Sequence, residues 1–179
     1  RYVQRMQQAV RVLYGSAPPS EAIAAASLEL AALDLDAFLR DVAANAAYAE
    51  LHDVAYVSPG QPVPVRGDVH SLEDAVAHVL RNADRHREPG TPITMRLVRD
   101  GPMAELTLHN RGSRIEPAML DRIFEYGVSG VDAVAESSGE RRGQGLFVAR
   151  TYLAKMGGTI GARNADDGVE FVVRLPVVG

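Results

Sequence analysis

The sequence predicts an α+β two-layer sandwich, in which helices cover one face of a mixed, mostly antiparallel sheet, preceded by a helical fragment. Three observations support this prediction: a strongly amphipathic helix near the middle of the chain, a hairpin of alternating strands directly after it, and two further strands near the carboxyl end. With 179 residues, the chain is long enough to bury a core without a metal or a disulfide. It contains no cysteine, which excludes disulfides, thiolate catalysis and cysteine-ligated zinc.

The composition is that of an ordinary globular protein, with 46% hydrophobic and 23% charged residues. The net charge of −4 argues against a nucleic-acid or anionic-membrane surface, but it leaves room for a local phosphate pocket. No apolar run approaches the ~18 residues of a membrane span, and residues 1–10 lack a signal-peptide core. We therefore expect a cytoplasmic domain, which can be one piece of a longer membrane-anchored protein.

Apolar residues at 3-4-3 spacing form two short stripes at the start of the chain, separated by Gly15 and the Pro18-Pro19 pair. This spacing is typical of helices that pack in a bundle, and equally of ordinary surface helices. The first stripe consists of Val3, Met6, Val10 and Leu13, and the second of Ile23, Ala26, Leu30 and Leu33. We predict a helical fragment over residues 1–32 whose packing partners lie partly outside the chain.

The segment after this fragment contains the first elements of the predicted sandwich. Asp34 is a suitable N-cap for a helix over about residues 35–51. Residues 54–57 are predicted to form a short strand. The proline-rich residues 58–65 predict an edge strand or a loop, because proline cannot donate to a sheet ladder.

A strong helix is predicted over residues 72–87, with Ser71 as its N-cap and Pro89-Gly90 after its end. Its apolar residues fall on one stripe at 100° per residue, which is the face expected to pack on the sheet. A polar stripe lies roughly 120° around the helix from the apolar one. Such a stripe is typical of a pocket wall, but a solvent-exposed helix face with incidental histidines shows the same pattern. The core stripe consists of Leu72, Val76, Val79, Leu80 and Ala83, and the polar stripe of His78, Asn82, Arg85 and His86.

The strands are predicted from alternation and turn chemistry. Two alternating runs, 93–98 and 104–108, are separated by an Asp100-Gly101 turn and predict a hairpin. The remaining predicted elements are a short helix within 115–124 opened by Pro117, a polar loop over 127–143, a helix over 146–156, and strands over 159–162 and 169–175.

Two glycine-containing segments follow the polar helix in the sequence. Residues 110–115, the first glycine segment, follow a predicted strand, and residues 143–146, the second glycine segment, open a predicted helix. Glycines ahead of a helix let backbone N–H groups approach an anion, and the helix dipole favours phosphate there. Taken singly, either segment also fits a plain turn.

In order and spacing, these pieces resemble the ATP-binding catalytic domain of bacterial sensor histidine kinases, in the GHKL superfamily. The resemblance covers about residues 33–176, and residues 1–32 resemble the back half of a dimerisation helical hairpin. The matching motifs are the N box over 72–86, the first glycine box Asn110-Arg111-Gly112-Ser113-Arg114-Ile115, the F box Arg122-Ile123-Phe124-Glu125, the second glycine box Gly143-Gln144-Gly145-Leu146, and the closing strand Gly168-Val169-Glu170-Phe171 with Leu175-Pro176. The implied fold is a Bergerat-type sandwich.

The resemblance implies roles for the polar stripe. Asn82 would coordinate the Mg²⁺ that bridges the ATP phosphates, Arg85 would contact phosphate, and the His86 ring would lie along the nucleotide. Related GHKL hydrolases place a glutamate base where His78 stands. A kinase needs no activated water, so we interpret His78 as a pocket-wall or metal-shell residue and group it with Asn82 as candidate catalytic residues.

The resemblance also implies the rest of the nucleotide site. The implied nucleotide-binding residues, besides Asn82, Arg85 and His86, are Asn110, Gly112, Ile115, Phe124, Gly143, Gln144, Gly145 and Leu146. Residues 127–142 would form an ATP lid, in which Arg141-Arg142 fits either a phosphate contact or a solvated charge pair. The family transfers the γ-phosphoryl group to a histidine, and residues 1–32 contain none. We therefore expect the phosphoacceptor histidine outside this chain, with a response regulator and a second copy in a homodimer as partners and no nucleic acid.

Three residues depart from the family pattern. Asn110 replaces the aspartate that accepts from the adenine amino group, Arg114 replaces a glycine, and Phe147 stands where a glycine often occurs. A neutral hydrogen bond contributes ~1 kcal/mol against ~1.5–3 for one to a charged group, which predicts up to a tenfold loss of affinity. The alternatives to an active kinase are therefore a degenerate (pseudo)kinase or phosphotransfer scaffold with weak nucleotide binding, and a GHKL hydrolase or anti-sigma-type serine kinase.

Overall fold

The computed structural model describes residues 19–128 and 144–179. Four α-helices are present in these ranges: α1 Pro19–Ala25, α2 Leu35–Asn45, α3 Val69–His86 and α4 Gly145–Lys155. Seven strands accompany them: β1 Ala31–Asp34, β2 Val54–Val57, β3 Pro64–Gly67, β4 Ile93–Asp100, β5 Met103–Arg111, β6 Thr159–Ala165 and β7 Gly168–Pro176. Short 3-10 helices occupy Ala46–Ala49, Pro117–Met119 and Arg122–Phe124.

The main sheet has five strands in the order β2-β4-β5-β7-β6. Strand β2 pairs parallel to β4, and every other neighbouring pair in this sheet is antiparallel. The predicted hairpin is β4–β5, in which Asp100 faces Met103 across the turn. The mixed, mostly antiparallel sheet predicted from the sequence is therefore confirmed.

The helices α3 and α4 pack on one face of this sheet and on each other. Residues alternate between buried and less buried along β5 and β7, as a sheet covered on one face requires. The buried rows of the sheet and the apolar stripe of α3 form one continuous core. Phe124 and Phe171 meet edge to face in this core, with ring centroids 6.3 Å apart.

Helix α3 begins at Val69, three residues ahead of the predicted start, and its N-cap is Asp68 rather than Ser71. The Asp68 carboxylate accepts the Ser71 backbone N–H at 3.0 Å. It also accepts the Glu29 backbone N–H at 2.9 Å, which fixes the segment after α1 to the start of α3. Aspartate and serine are equally favourable at the N-cap position. Asp68 also accepts the second hydrogen bond, from Glu29, which favours Asp68 over Ser71 as the cap.

The second apolar stripe does not form one helix. Helix α1 ends at Ala25, and Ala31–Asp34 is strand β1, paired antiparallel with β3. Leu33 faces Val65 in that ladder, so pairing with a distant strand overrides the helical spacing of Leu30 and Leu33. The first stripe, Val3 to Leu13, lies outside the described residues, and the boundary at residues 32–33 between hairpin and catalytic domain stays a prediction.

The other predicted elements agree with the structure apart from their ends. Asp34 caps α2 by accepting the Asp36 N–H at 3.0 Å, and α2 gives way to a 3-10 helix after Asn45. Strands β6 and β7 run to Ala165 and Pro176, each beyond its predicted end. None of the helices in the described ranges is both long enough and apolar enough to cross a bilayer.

Candidate functional site

The polar stripe of α3 faces two other segments of the chain. His78 lies against the start of α4, where its Nδ1 atom is 3.0 Å from the place that a β-carbon on Gly145 would occupy. The carbonyl oxygen of His86 is 2.3 Å from the place that a β-carbon on Gly112 would occupy. Both glycine segments therefore approach α3 closely: a side chain at Gly112 would collide with the α3 backbone, and one at Gly145 would make a tight contact with the His78 ring.

Asn82 lies midway between these two contacts on α3. It is four residues from His78 and four from His86, or about 6 Å along the axis in each direction. Its side chain is half-buried and makes no hydrogen bond with the residues that the structure describes. The amide is thus available to a ligand between the two glycine segments.

The environment of His78 keeps its imidazole neutral. Burial, together with the nearby Arg81 guanidinium, lowers the pKa of His78 to about 4. At neutral pH the ring therefore carries no charge. Because an efficient general base needs a pKa near the working pH, His78 is poorly suited to activate water.

Asn110 ends the buried face of β5 and is 1% exposed. Its Nδ2 atom donates to the Arg111 carbonyl oxygen at 3.3 Å. No hydrogen bond from the described residues reaches its Oδ1 atom. An amide oxygen that receives no hydrogen bond from the protein is suited to accept one from a ligand, and an adenine amino group supplies such a donor.

The first glycine segment is attached directly to the end of α3. The Glu88 N–H donates to the Arg111 carbonyl oxygen at 2.8 Å, and Arg87 and Gly112 form an isolated antiparallel bridge. Gly112 has a φ of 149°, which side chains rarely adopt. Glycine is required here both for this conformation and for the contact with α3.

Arg114 extends to the β6–β7 turn. Its guanidinium is exposed and donates to the Asp166 carbonyl oxygen at 2.9 Å. The side chain that replaces the family glycine is therefore held at this turn. Ile115, next in the chain, is half-buried and packs against the core.

Tyr126, directly after the F box, contacts the second glycine segment and the residue that follows it. Gln144 donates from Nε2 to the Tyr126 hydroxyl at 3.2 Å, and the Tyr126 ring lies edge-on to Phe147, with centroids 5.4 Å apart. The unusual Phe147 thus packs against the segment that follows the F box. Phe124 itself is buried against Phe171 and supports the core.

Helix α4 starts at the second glycine segment. Gln144 precedes it, Gly145 is its first residue, and Leu146 is buried. The free N–H groups of a first helical turn, with the helix dipole, favour an anion. Gly143 and the arginines Arg141 and Arg142, like most of the predicted lid, lie outside the described residues.

The side-chain amide of Asn82 offers an oxygen ligand of the kind that Mg²⁺ takes. Among the described residues, no three histidine, cysteine, aspartate or glutamate side chains are grouped so that they could hold a metal ion. Mg²⁺ takes oxygen ligands and is commonly held by one or two protein groups together with phosphates and water. The unpaired amide of Asn82 suits that arrangement.

Comparison with known proteins identifies the family. The model of the histidine kinase-, DNA gyrase B- and HSP90-like ATPases matches residues 67–179. The chain belongs to this family. The resemblance to the GHKL catalytic domain of sensor histidine kinases, inferred from the motifs, is confirmed.

Two curated relatives of this family domain are sensor proteins. The two-component sensor PprA of Pseudomonas aeruginosa is 35% identical over 133 residues, which are 70% of this chain and 14% of PprA. The sensor histidine kinase TrcS of Mycobacterium tuberculosis is 31% identical over 157 residues, which are 84% of this chain and 30% of TrcS. The chain thus spans less than a third of either relative.

A solved structure shows the same GHKL fold. The mycobacterial sensor histidine kinase MprB matches with a TM-score of 0.68 and 25% sequence identity, over 83% of this chain and 98% of that one.

Sequence reasoning missed one residue of this GHKL domain that touches the first glycine segment. Asn164 on β6 makes two hydrogen bonds to the backbone of Ile115, across a separation of 49 residues. No local pattern marks such a long-range contact. The one indication in the sequence is that Asn164 is a polar residue at the end of a strand face that is otherwise apolar.

Proposed function

We propose that this chain is the ATP- and Mg²⁺-dependent catalytic domain of a two-component sensor histidine kinase. It transfers the γ-phosphoryl group of ATP to a histidine that this chain does not supply. The observation that carries the proposal is the position of Asn82, one helical turn from the contact with each glycine segment.

The purine end of the ATP would lie at Asn110. Its Oδ1 atom, which accepts no hydrogen bond from the described residues, would accept one from the adenine amino group. His86 lies on the exposed last turn of α3, beside Gly112, where its ring can lie along the nucleotide. Ile115 would supply an apolar contact from the first glycine segment.

The phosphate end would lie between α3 and the start of α4. Backbone N–H groups after Gly145 and the exposed guanidinium of Arg85 would neutralise the phosphates. Mg²⁺ held by Asn82 would supply charge neutralisation for the transferred group. Catalysis of this kind depends on positioning and electrostatic stabilisation rather than on a protein nucleophile.

The neutral His78 favours a kinase over a hydrolase. A hydrolase of this superfamily needs a base for water, and a histidine with a pKa of about 4 performs that role poorly at neutral pH. Packed against Gly145, His78 would instead hold α3 at a fixed distance from α4. In a longer protein, the domain would act in the cytoplasm as part of a homodimer and pass phosphate to a response regulator.

Calorimetry tests the proposal directly. Titration with the non-hydrolysable analogue AMPPNP is expected to show saturable binding at one site, weakened when EDTA removes Mg²⁺. No binding at millimolar analogue would overturn the kinase proposal and favour a degenerate scaffold. Steady ATP turnover without a histidine acceptor would point to a hydrolase instead.

A further inference from the structure

We infer that Asn164 is a positioning residue that sets the purine-base end of the site by holding the backbone of Ile115. The inference rests on the proposed function, because it assigns Asn164 a part in nucleotide selectivity. Its physical basis is a pair of hydrogen bonds between one side chain and one peptide unit.

Asn164 binds both polar backbone groups of Ile115. The Ile115 N–H donates to Asn164 Oδ1 at 2.8 Å, and Asn164 Nδ2 donates to the Ile115 carbonyl oxygen at 2.7 Å. Two short bonds of this kind are what a neighbouring strand would provide through its own backbone. The amide thus holds the Ile115 peptide from β6, the strand at one edge of the main sheet.

The position of Asn164 relates it directly to Asn110. In the sheet register, Asn110 faces Val169 on β7, and Val169 faces Asn164 on β6. The two amides therefore lie in one row on the helix-covered face, two strand spacings or about 10 Å apart. Val169 between them is buried, so the row presents one apolar side chain flanked by two amides.

Two other hydrogen bonds join the first glycine segment to backbone carbonyl oxygens of the β6–β7 turn. The Gly112 N–H donates to the Asp167 carbonyl oxygen at 3.0 Å, and Arg114 donates to the Asp166 carbonyl oxygen. These contacts fix the start of the segment. The bonds from Asn164 fix its end, where Ile115 packs against the core.

Loss of the Asn164 amide would free Ile115 while leaving Asn82 and the start of α4 in place. The effect should therefore fall on recognition of the purine base and spare the phosphates. A purely structural residue would lower the affinity for all nucleoside triphosphates alike. The preference for adenine over guanine separates these two roles.

The experiment compares Asn164→Ala with the matched control Asn45→Ala. Asn45 is an exposed amide of α2 whose Nδ2 atom bonds to the Asp41 carbonyl oxygen at 2.8 Å. Calorimetry with AMPPNP and GMPPNP is expected to show about a tenfold loss for AMPPNP with Asn164→Ala, and less than threefold for GMPPNP. Asn45→Ala should change neither. Asn164→Asp, which keeps the acceptor and loses the donor, should fall between wild type and Asn164→Ala.

Hydrogen exchange tests the geometry without nucleotide. The Ile115 amide should be protected in the wild type and exchange at least tenfold faster in Asn164→Ala. An unchanged ratio of AMPPNP to GMPPNP affinity in a folded variant would overturn the inference, as would unchanged exchange at Ile115. If the wild type binds neither analogue, the proposed function itself fails, which is a different result.

Discussion

The Nδ1 atom of His78 lies 3.0 Å from the point that a β-carbon on Gly145 would occupy. This distance is shorter than most real contacts of a β-carbon, so the His78 ring would have to shift by a few tenths of an ångström if Gly145 carried a side chain. The glycine at the start of α4 therefore has a steric partner on α3 as well as an implied role in phosphate binding. The packing of α3 against α4 at this point therefore depends on both His78 and Gly145.

Replacing Gly145 with alanine should reveal that coupling. Alanine in a helix is more stable than glycine by up to ~1 kcal/mol, and this gain should appear in the His78→Ala background. With His78 present, the contact should cancel most of the gain. Urea unfolding of the two single variants and the double variant measures the interaction free energy, which we expect at about 0.5–1 kcal/mol. Strict additivity would show that the contact is relieved at no cost.

Substitution of Asn82 should remove the Mg²⁺-dependent part of nucleotide binding. We expect Asn82→Ala to weaken AMPPNP binding at least ~10-fold in the presence of Mg²⁺ and to have little effect with EDTA. Because Asn82 lies off the core stripe and alanine favours a helix, the free energy of unfolding should not fall. Calorimetry with and without Mg²⁺ measures the effect, and Asn45→Ala controls for loss of a helix amide.

Two outcomes of this experiment would contradict the assignment of Asn82 as a magnesium ligand. If Asn82→Ala bound the Mg²⁺ complex as tightly as the wild type while remaining folded, the assignment of Asn82 as a ligand would be wrong. A loss of equal size with and without Mg²⁺ would indicate a contact with the nucleotide itself.

Helix α3 and the β4–β5 hairpin were predictable from the sequence because their signals are local. The apolar residues of α3 repeat at helical spacing over its whole length, and a turn sequence separates the two alternating strands. Neither element depends on a distant segment for its identity. The same holds for the glycine at the start of α4, which the motif spacing located.

Strand β1 and Asn164 were not predictable because their partners are far away in sequence. Leu33 has helical spacing relative to Leu30, and its strand conformation depends on pairing with Val65. Asn164 depends on Ile115 in the same way. A single sequence gives the identity of each residue but not its distant partner, and the conformation of these two residues depends on that partner.

Restoring the family carboxylate at Asn110 should have opposite effects on affinity and stability. Asn110→Asp would turn a neutral hydrogen bond to adenine into a charge-assisted one and strengthen AMPPNP binding by up to about tenfold. The buried carboxylate would lose the bond to the Arg111 carbonyl oxygen, so the free energy of unfolding should fall by about 1–3 kcal/mol. Calorimetry and urea unfolding measure the two effects. Unchanged affinity would indicate that Oδ1 does not contact the base.

Removal of the Arg114 side chain should matter little for nucleotide binding. Its exposed guanidinium bonds to the Asp166 carbonyl oxygen on the β6–β7 turn, and it makes no contact with Asn82 or Asn110 through a hydrogen bond or ion pair. We therefore expect Arg114→Gly to leave the affinity for AMPPNP within about twofold of the wild type, measured by calorimetry. A large gain in affinity would show that the arginine obstructs the site in solution.

Two shifted groups on α3 should give the stability of the domain opposing pH dependences. Burial, with the neighbouring Glu73, raises the pKa of Asp74 to about 6, so its contribution to stability is present below pH ~4 and is lost as the pH rises through 6. Burial lowers the pKa of His78 to about 4, so its contribution is present above pH ~6.5 and is lost as the pH falls through 4.

Asp74→Asn should therefore raise the free energy of unfolding at pH 7.5 by about 1 kcal/mol, a figure reduced for partial exposure, and leave it unchanged at pH 3.5. Urea unfolding across this range measures the profiles, with the exposed Asp41→Asn as control, and an unaltered profile in Asp74→Asn would show that the carboxyl titrates alike in both states.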